Sequence, residues 1–164
     1  MSSIEASEII PNLWQGSYPP FGSRLNREGF KLLVLCANEF QFETSLFDWC
    51  SVVHAPNEDS PNHPLTREQL VIAVSAARKV ADAVNKGQKT LVTCAAGLNR
   101  SGLVTGISLH LIKGWDGEAC IERVRTRRGK RGDLYPLCNE SFAEALRKLP
   151  GILPQDDGPF IRLV

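Results

Sequence analysis

The chain has 164 residues, enough for one domain with a single sizeable core. Because 43% of the residues are hydrophobic, 23% are charged and the formal net charge is +1, the composition excludes a largely disordered chain and gives no general affinity for polyanions. The apolar runs are too short for a membrane span and the first ten residues do not resemble a secretory signal, so we expect a cytoplasmic protein, without a membrane span, that acts as a monomer.

Three short strands are predicted in the first third of the chain. The segment EIIPNLWQGS (8–17) predicts an edge strand that contains a proline. KLLVLCA (31–37) and CSVVHAP (50–56) predict buried strands, because each is a short apolar run bounded by polar or turn-forming residues. Strands of this kind are typical of the centre of a sheet that is covered on both faces.

The clearest predicted helix runs from Thr66 to Lys86, where apolar residues recur at helical spacing and Thr66 forms a capping-box pattern with Gln69. KTLVTC (89–94) then predicts a fourth strand. Next comes SGLVTGISLHLIKG (101–114), apolar nearly all round, which predicts a buried helix.

Two further helices are predicted over 116–128 and 139–149, with Asp116 and Asn139 as N-caps. Strands separated by helices of this length predict an α/β fold, a single domain with a mostly parallel central sheet flanked by helices. The domain is expected to span residues 1–164, with a core over about 8–150 and a C-terminal tail, 151–164, that receives no assignment.

Cys94 stands where a predicted strand ends, and in an open parallel sheet ligands bind beyond that end of the strands. The amide N–H groups that follow can curl around an anion at the positive end of the next helix, and their field favours a nucleophilic thiolate. Arg100 offers a planar fork for two phosphoryl oxygens, and the Ser101 hydroxyl can hydrogen-bond the departing thiolate. The predicted phosphate-binding residues are Ala95, Ala96, Gly97, Leu98, Asn99 and Arg100.

The segment CAAGLNRS (94–101), a C-x5-R-S pattern, resembles the phosphate-binding loop of the cysteine-dependent protein tyrosine phosphatases, most closely the dual-specificity branch. The resemblance covers roughly the whole domain. IIPNLWQGS (9–17) is similar to that family's opening strand, HAPNEDS (54–60) to the segment that carries its general acid, and RVRTRRG and NESFAEAL to its last two helices.

This resemblance implies a dual-specificity phosphatase-like fold and assigns roles to several residues. Asp59 would be the general acid, with Glu58 as the alternative. Asn139 would stabilise the phosphate-binding loop. Thr93 stands where the family usually has histidine, which predicts a less strongly activated cysteine. The function implied is a metal-independent phosphatase that hydrolyses phosphotyrosine, phosphoserine and phosphothreonine in proteins through a phosphocysteine intermediate.

Two alternatives stay open. GLNRSG (97–102) also resembles the loop of metal-independent RNA 5′-triphosphatases, so an RNA 5′ end, another polyphosphate or a phosphoinositide is kept as an alternative substrate. The second alternative is a catalytically silent module that binds phosphorylated ligands, since a fold does not guarantee chemistry.

The remaining cysteines and histidines predict no metal site and no cofactor, because their spacing matches no ligand pattern. Cys36 ends a strand and is interpreted as an inert thiol, with a regulatory disulfide to Cys94 as the alternative. A basic run is interpreted mainly as a solvated helix face whose charge could draw substrates with several phosphates. Its members are Arg123, Arg125, Arg127, Arg128, Lys130 and Arg131.

Overall fold

A five-stranded sheet forms the centre of the protein, whose computed structural model describes residues 4–60 and 63–154. The strand order is β1-β2-β5-β3-β4, with β1 antiparallel to β2 and all other neighbours parallel. The strands are β1 (Ala6–Ile10), β2 (Leu13–Gly16), β3 (Phe30–Ala37), β4 (Ser51–Asn57) and β5 (Lys89–Thr93). The predicted α/β domain with a mostly parallel sheet is confirmed.

The single edge strand predicted over 8–17 is wrong, because this segment forms most of a hairpin. The chain turns at Pro11 and at Asn12, which has φ 72, and both residue types favour turns. β1 is therefore the edge strand, whereas β2 lies inside the sheet and pairs in parallel with β5.

Five α-helices are present among the described residues: α1 (Arg24–Arg27), α2 (Arg67–Asn85), α3 (Arg100–Lys113), α4 (Gly117–Arg128) and α5 (Glu140–Arg147). The capping box of α2 is complete, and the side chains of Asp116 and Asn139 cap α4 and α5 as predicted. The sequence did not predict α1 or the 3-10 turn Thr44–Leu46, since both are too short to show periodicity.

Alternate residues of β3 divide the core between the two faces of the sheet. Val34 and Cys36 belong to the larger core, which is completed by residues of α2 to α5. Leu33 and Leu35 face a smaller core, closed by Leu25 of α1 and by residues near the 3-10 turn.

The larger core extends slightly beyond the predicted limit of residue 150. Ile152 is 1% exposed and packs against this core, although it falls in the tail that the sequence left unassigned. Residues 155–164 of that tail lie outside the described part of the chain. Among the described residues, no helix has the length and apolar character needed to cross a membrane.

Candidate active site

The candidate site lies at the carboxyl end of β5, between the ends of β2 and β3. Cys94 directly follows β5, and residues 94–100, called here the Cys94 loop, lead into α3 at Arg100. The Cys94 thiol is buried, and its Sγ lies 3.2 Å from the Oγ of Ser101, in the first turn of α3. The structure therefore brings together the predicted nucleophile and the hydroxyl predicted to serve it, at the positive end of a 14-residue helix.

Gly97 is required by both the conformation and the crowding of the Cys94 loop. Its φ of 72 falls in the left-handed region, which favours glycine. A Cβ at this position would collide with the Arg128 guanidinium and with the Gly16 carbonyl. The loop is thus closely packed against β2 on one side and against the end of α4 on the other.

Arg100 is held in a set of acceptors that sequence reasoning did not find. Its guanidinium makes a bidentate ion pair with Glu39, at 2.5 and 3.0 Å. Nη1 also donates to Asn38 Oδ1 and to the Asn57 carbonyl, whereas the buried Nε–H has no partner among the described residues. The hydrogen bond from Arg100 lowers the pKa of Glu39. The only sequence signal for Glu39 is its position, two residues after β3.

Asp59 is bound by two side-chain amides. Its Oδ1 accepts from Asn139 Nδ2 at 2.8 Å, and its Oδ2 accepts from Asn99 Nδ2 at 2.9 Å. The Asn139 backbone N–H in turn donates to Asn99 Oδ1 at 3.0 Å, which closes a three-residue network. The side chain of Asn99 thus ties the Cys94 loop to the loop after β4. Sequence reasoning used only the backbone of Asn99 and missed this contact.

The hydroxyl of Thr93 donates its hydrogen bond away from Cys94, the residue that follows it. The Oγ1 donates to the Val34 carbonyl of β3 at 2.8 Å, inside the sheet. Cys36 lies on the same strand, one residue beyond Leu35, which pairs with Thr93. Burial raises the pKa of Cys36 well above the usual value, and the neighbouring Cys94 adds to this. A buried thiol of that kind is a poor nucleophile, in keeping with its interpretation as inert.

Most of the basic run contacts the protein itself, so the prediction of a solvated helix face is wrong for four members. Arg123 donates to the Ile9 carbonyl, and Arg125 donates to the carbonyls of Pro136 and Leu137. Arg128, which is fully buried, and Arg131 both form salt bridges with the carboxylate of Glu5. Arg127 and Lys130 are exposed.

Two of the histidines hydrogen-bond to backbone carbonyls. The pairs are His54 with Phe42 and His110 with Trp115. Within residues 4–60 and 63–154, no group of three or more His, Cys, Asp or Glu side chains could hold a metal ion.

No protein-family profile and no curated protein matches this sequence. Solved structures do match. Tk-PTP in its active form superposes with a TM-score of 0.66 at 21% identity, over 88% of this chain and 97% of that one. A mouse putative dual specificity phosphatase complexed with zinc tungstate gives 0.67 at 19% identity, over 90% of both chains. The fold is that of the dual-specificity phosphatases. Human DUSP28 also has it, with a TM-score of 0.66 at 18% identity over 90% of this chain and 95% of that one.

Proposed function

We propose that the protein is a metal-independent phosphatase that hydrolyses phosphotyrosine, phosphoserine or phosphothreonine in proteins through a phosphocysteine intermediate. The observation that carries the proposal is that three groups assemble around one loop: the buried thiol of Cys94, the guanidinium of Arg100 and the carboxylate of Asp59. The Nε–H of that guanidinium has no partner within residues 4–60 and 63–154. Each of these groups matches one need of the reaction.

In the first step, the Cys94 thiolate attacks phosphorus, and the bond from phosphorus to the substrate oxygen breaks. Asp59 gives its proton to the departing oxygen, so the substrate leaves as a neutral alcohol or phenol. The amide N–H groups of the Cys94 loop and the Nε–H of Arg100 stabilise the equatorial oxygens of the transferring group. Glu39 keeps the guanidinium in position by its bidentate ion pair.

In the second step, water attacks the phosphocysteine, Asp59 takes a proton from that water and the thiolate leaves. The Ser101 hydroxyl, 3.2 Å from the sulfur, can donate to the thiolate as it forms. The amides of Asn99 and Asn139 both donate to Asp59, and these two hydrogen bonds hold its carboxylate in position.

The surroundings of the site favour a protein substrate over a polyanion. Tyr18, after β2, and Phe40, after β3, place their rings 5.0 Å apart where these strands flank the Cys94 loop, and Tyr18 is 47% exposed. These rings can pack against apolar or aromatic parts of a peptide. The half-exposed carboxylate of Glu39, ion-paired with Arg100, cancels part of the positive charge with which this site could attract a nucleic acid.

The RNA and phosphoinositide alternatives remain predictions, although most of the basic side chains they relied on are held by contacts within the protein. Four of the six basic residues bond to the protein itself, as described above. The silent-module alternative also remains, and one structural neighbour is a human tyrosine phosphatase-like serine/threonine/tyrosine-interacting protein. The presence of Cys94, Arg100 and Asp59 together argues against that alternative.

The deciding experiment is a phosphate-release assay on one preparation with a chelator present. It compares phosphotyrosine and phosphothreonine peptides, a phosphoinositide and 5′-triphosphate RNA. We expect turnover of the phosphopeptides that survives the chelator and is abolished by Cys94→Ser, while Cys50→Ala, in the smaller core, retains it. Arg100→Lys should also abolish most of the activity, because an ammonium cannot form the bidentate ion pair with Glu39 and at the same time donate to the phosphate. Turnover by the Cys94→Ser protein would exclude the covalent route.

A further inference from the structure

Arg128, at the end of α4, is a fully buried arginine that touches the back of the Cys94 loop. Its Nε donates to the Gly97 carbonyl at 2.9 Å, and its Nη2 donates to the Ala96 carbonyl at 3.1 Å. Gln15 of β2, also fully buried, donates to the same Gly97 carbonyl at 2.9 Å. Two buried side chains from different elements therefore converge on two successive carbonyls of one loop.

These contacts fix the direction of the peptide groups. In a planar trans peptide, the N–H points opposite to the C=O of the preceding residue. The carbonyls of Ala96 and Gly97 point at Arg128, so the N–H groups of Gly97 and Leu98 point away from it. Donors aimed in advance at a developing charge stabilise it most, because they need no reorganisation during the reaction.

The charge of Arg128 is balanced by Glu5, which lies just before β1. The carboxylate takes hydrogen bonds from Nη1 at 2.9 Å and from Nη2 at 2.5 Å, and Arg131 binds it as well. Burying a guanidinium is costly unless it is paired, so the ion pair with Glu5 compensates for the burial of Arg128. The hydrogen bond from Arg128 is the main cause that lowers the pKa of Glu5 to about 2, which keeps the carboxylate ionised at any ordinary assay pH.

Gln15 also carries a cost that packing alone does not explain. Gln15 Oε1 is buried without a hydrogen-bond partner among the described residues. An apolar side chain at that position would avoid this penalty, which amounts to about 1–3 kcal/mol. What Gln15 and Arg128 provide instead is three hydrogen bonds that orient the loop.

We propose that Glu5, Arg128 and Gln15 form a brace that turns the Gly97 and Leu98 amides toward a bound oxyanion, so that Arg128 is a positioning residue of this site. The inference rests on the proposed function only for the identity of the oxyanion as phosphate. Arg128 touches neither substrate nor thiol and acts through the Cys94 loop.

The size of the effect follows from what the brace controls. Removing one oxyanion donor from an enzyme lowers kcat by about 10²–10³-fold. Weakening the brace misaligns two donors without removing them, so Arg128→Lys should lower kcat/KM by about 10–100-fold. A lysine can reach one carbonyl but cannot bond both and Glu5 together. Glu5→Gln keeps Arg128 but holds it less firmly, so it should lower kcat/KM only a few-fold.

The test measures binding of inorganic phosphate by calorimetry in a Cys94→Ser background, which needs no turnover. Arg128→Lys is compared with Arg127→Lys, its exposed neighbour on α4, and Glu5→Gln is compared with Glu8→Gln on β1. The amide proton shifts of Gly97 and Leu98 are followed by NMR during the titration. We expect about tenfold weaker binding and a smaller amide shift in Arg128→Lys, a lesser change in Glu5→Gln and no change in either control.

A folded Arg128→Lys protein that binds phosphate as tightly as its Arg127→Lys control would overturn the brace. If Arg128→Lys does not fold, Glu5→Gln decides, since an unchanged phosphate affinity and amide shift would overturn the proposal and weaker binding would support it. Absence of phosphate binding to the Cys94→Ser protein would overturn it too. Brace-dependent phosphate binding without any turnover by the unmodified protein would instead sink the proposed function and leave the brace standing.

Discussion

Replacing Asp59 by asparagine tests the assignment of the general acid. The change keeps the size of the side chain but removes the proton that the leaving oxygen needs. On substrates with poor leaving groups, such as phenyl phosphate, kcat should fall by about 10²–10⁴-fold. With nitrophenyl phosphate the loss should be much smaller, because nitrophenolate leaves without a proton.

The contacts of Asp59 allow the structural cost of this change to be separated from the chemical one. Both carboxylate oxygens accept an amide N–H, one from Asn99 and one from Asn139. An asparagine has a single acceptor, so its own NH2 would face one of these donors. Because Asp59 is exposed, water can take over part of the lost bond, and the free energy of unfolding should fall by only about 1 kcal/mol.

The assay is kcat against pH for both substrates, together with a thermal melt of each variant. Loss of the acid should flatten the alkaline limb of the profile for phenyl phosphate while the melt shifts by a few degrees at most. Glu58→Gln is the matched control, since Glu58 is adjacent and exposed but makes none of these contacts. If Glu58→Gln gives the loss and Asp59→Asn does not, the acid is Glu58 and the reasoning from the amide network fails.

Three shorter predictions follow from the same contacts. Thr93→Val should cost about 1 kcal/mol of stability but leave the rate of Cys94 alkylation unchanged, because its hydroxyl bonds a β3 carbonyl. Iodoacetamide at neutral pH should modify Cys94, with protection by phosphate, and spare Cys36, whose pKa burial raises; labelling of Cys36 first would contradict this. Glu5 has a pKa lowered from 4.5 to about 2 by Arg128, so its ionised form stabilises the fold above pH 4.5 and that stabilisation is lost as the pH falls toward 2. The difference in unfolding free energy between the unmodified protein and Glu5→Gln should therefore be full at neutral pH and vanish near pH 2.

The sequence predicted the elements whose patterns are long or chemically marked. The helix from Thr66 to Lys86 was recognisable because its apolar face repeats over five turns and its cap has a definite signature. The hairpin at Pro11–Asn12 was missed because two strands of four and five residues read as one, and a two-residue turn adds little signal. The sequence did not predict α1 or the 3-10 turn Thr44–Leu46, because these elements are also too short.

The residues of the Cys94 loop were predictable because they are contiguous and their chemistry depends on spacing. Their partners were not, because Glu39 and Glu5 are separated from Arg100 and Arg128 by 61 and 123 positions, and only the fold brings them together. The basic run shows the converse error. Charge density along the sequence suggested a surface, whereas the end of α4 turns Arg128 inward to the loop.

The hairpin that sequence reasoning missed is part of the site. Strand register decides which side chain lies beneath the Cys94 loop: Gly16 pairs with Thr93, so its carbonyl accepts the Cys94 N–H, and the preceding Gln15 points to the face where it meets Gly97. A shift of one residue in the register of β2 would place Trp14 beneath the Cys94 loop instead of Gln15, since successive side chains of a strand face opposite ways. The same hairpin carries Glu5 to Arg128. The geometry of a loop near residue 97 therefore depends on how β2 pairs with β5 and on the hairpin that brings Glu5 to Arg128, so a change that shifts the register of β2 should alter phosphate affinity as well as stability.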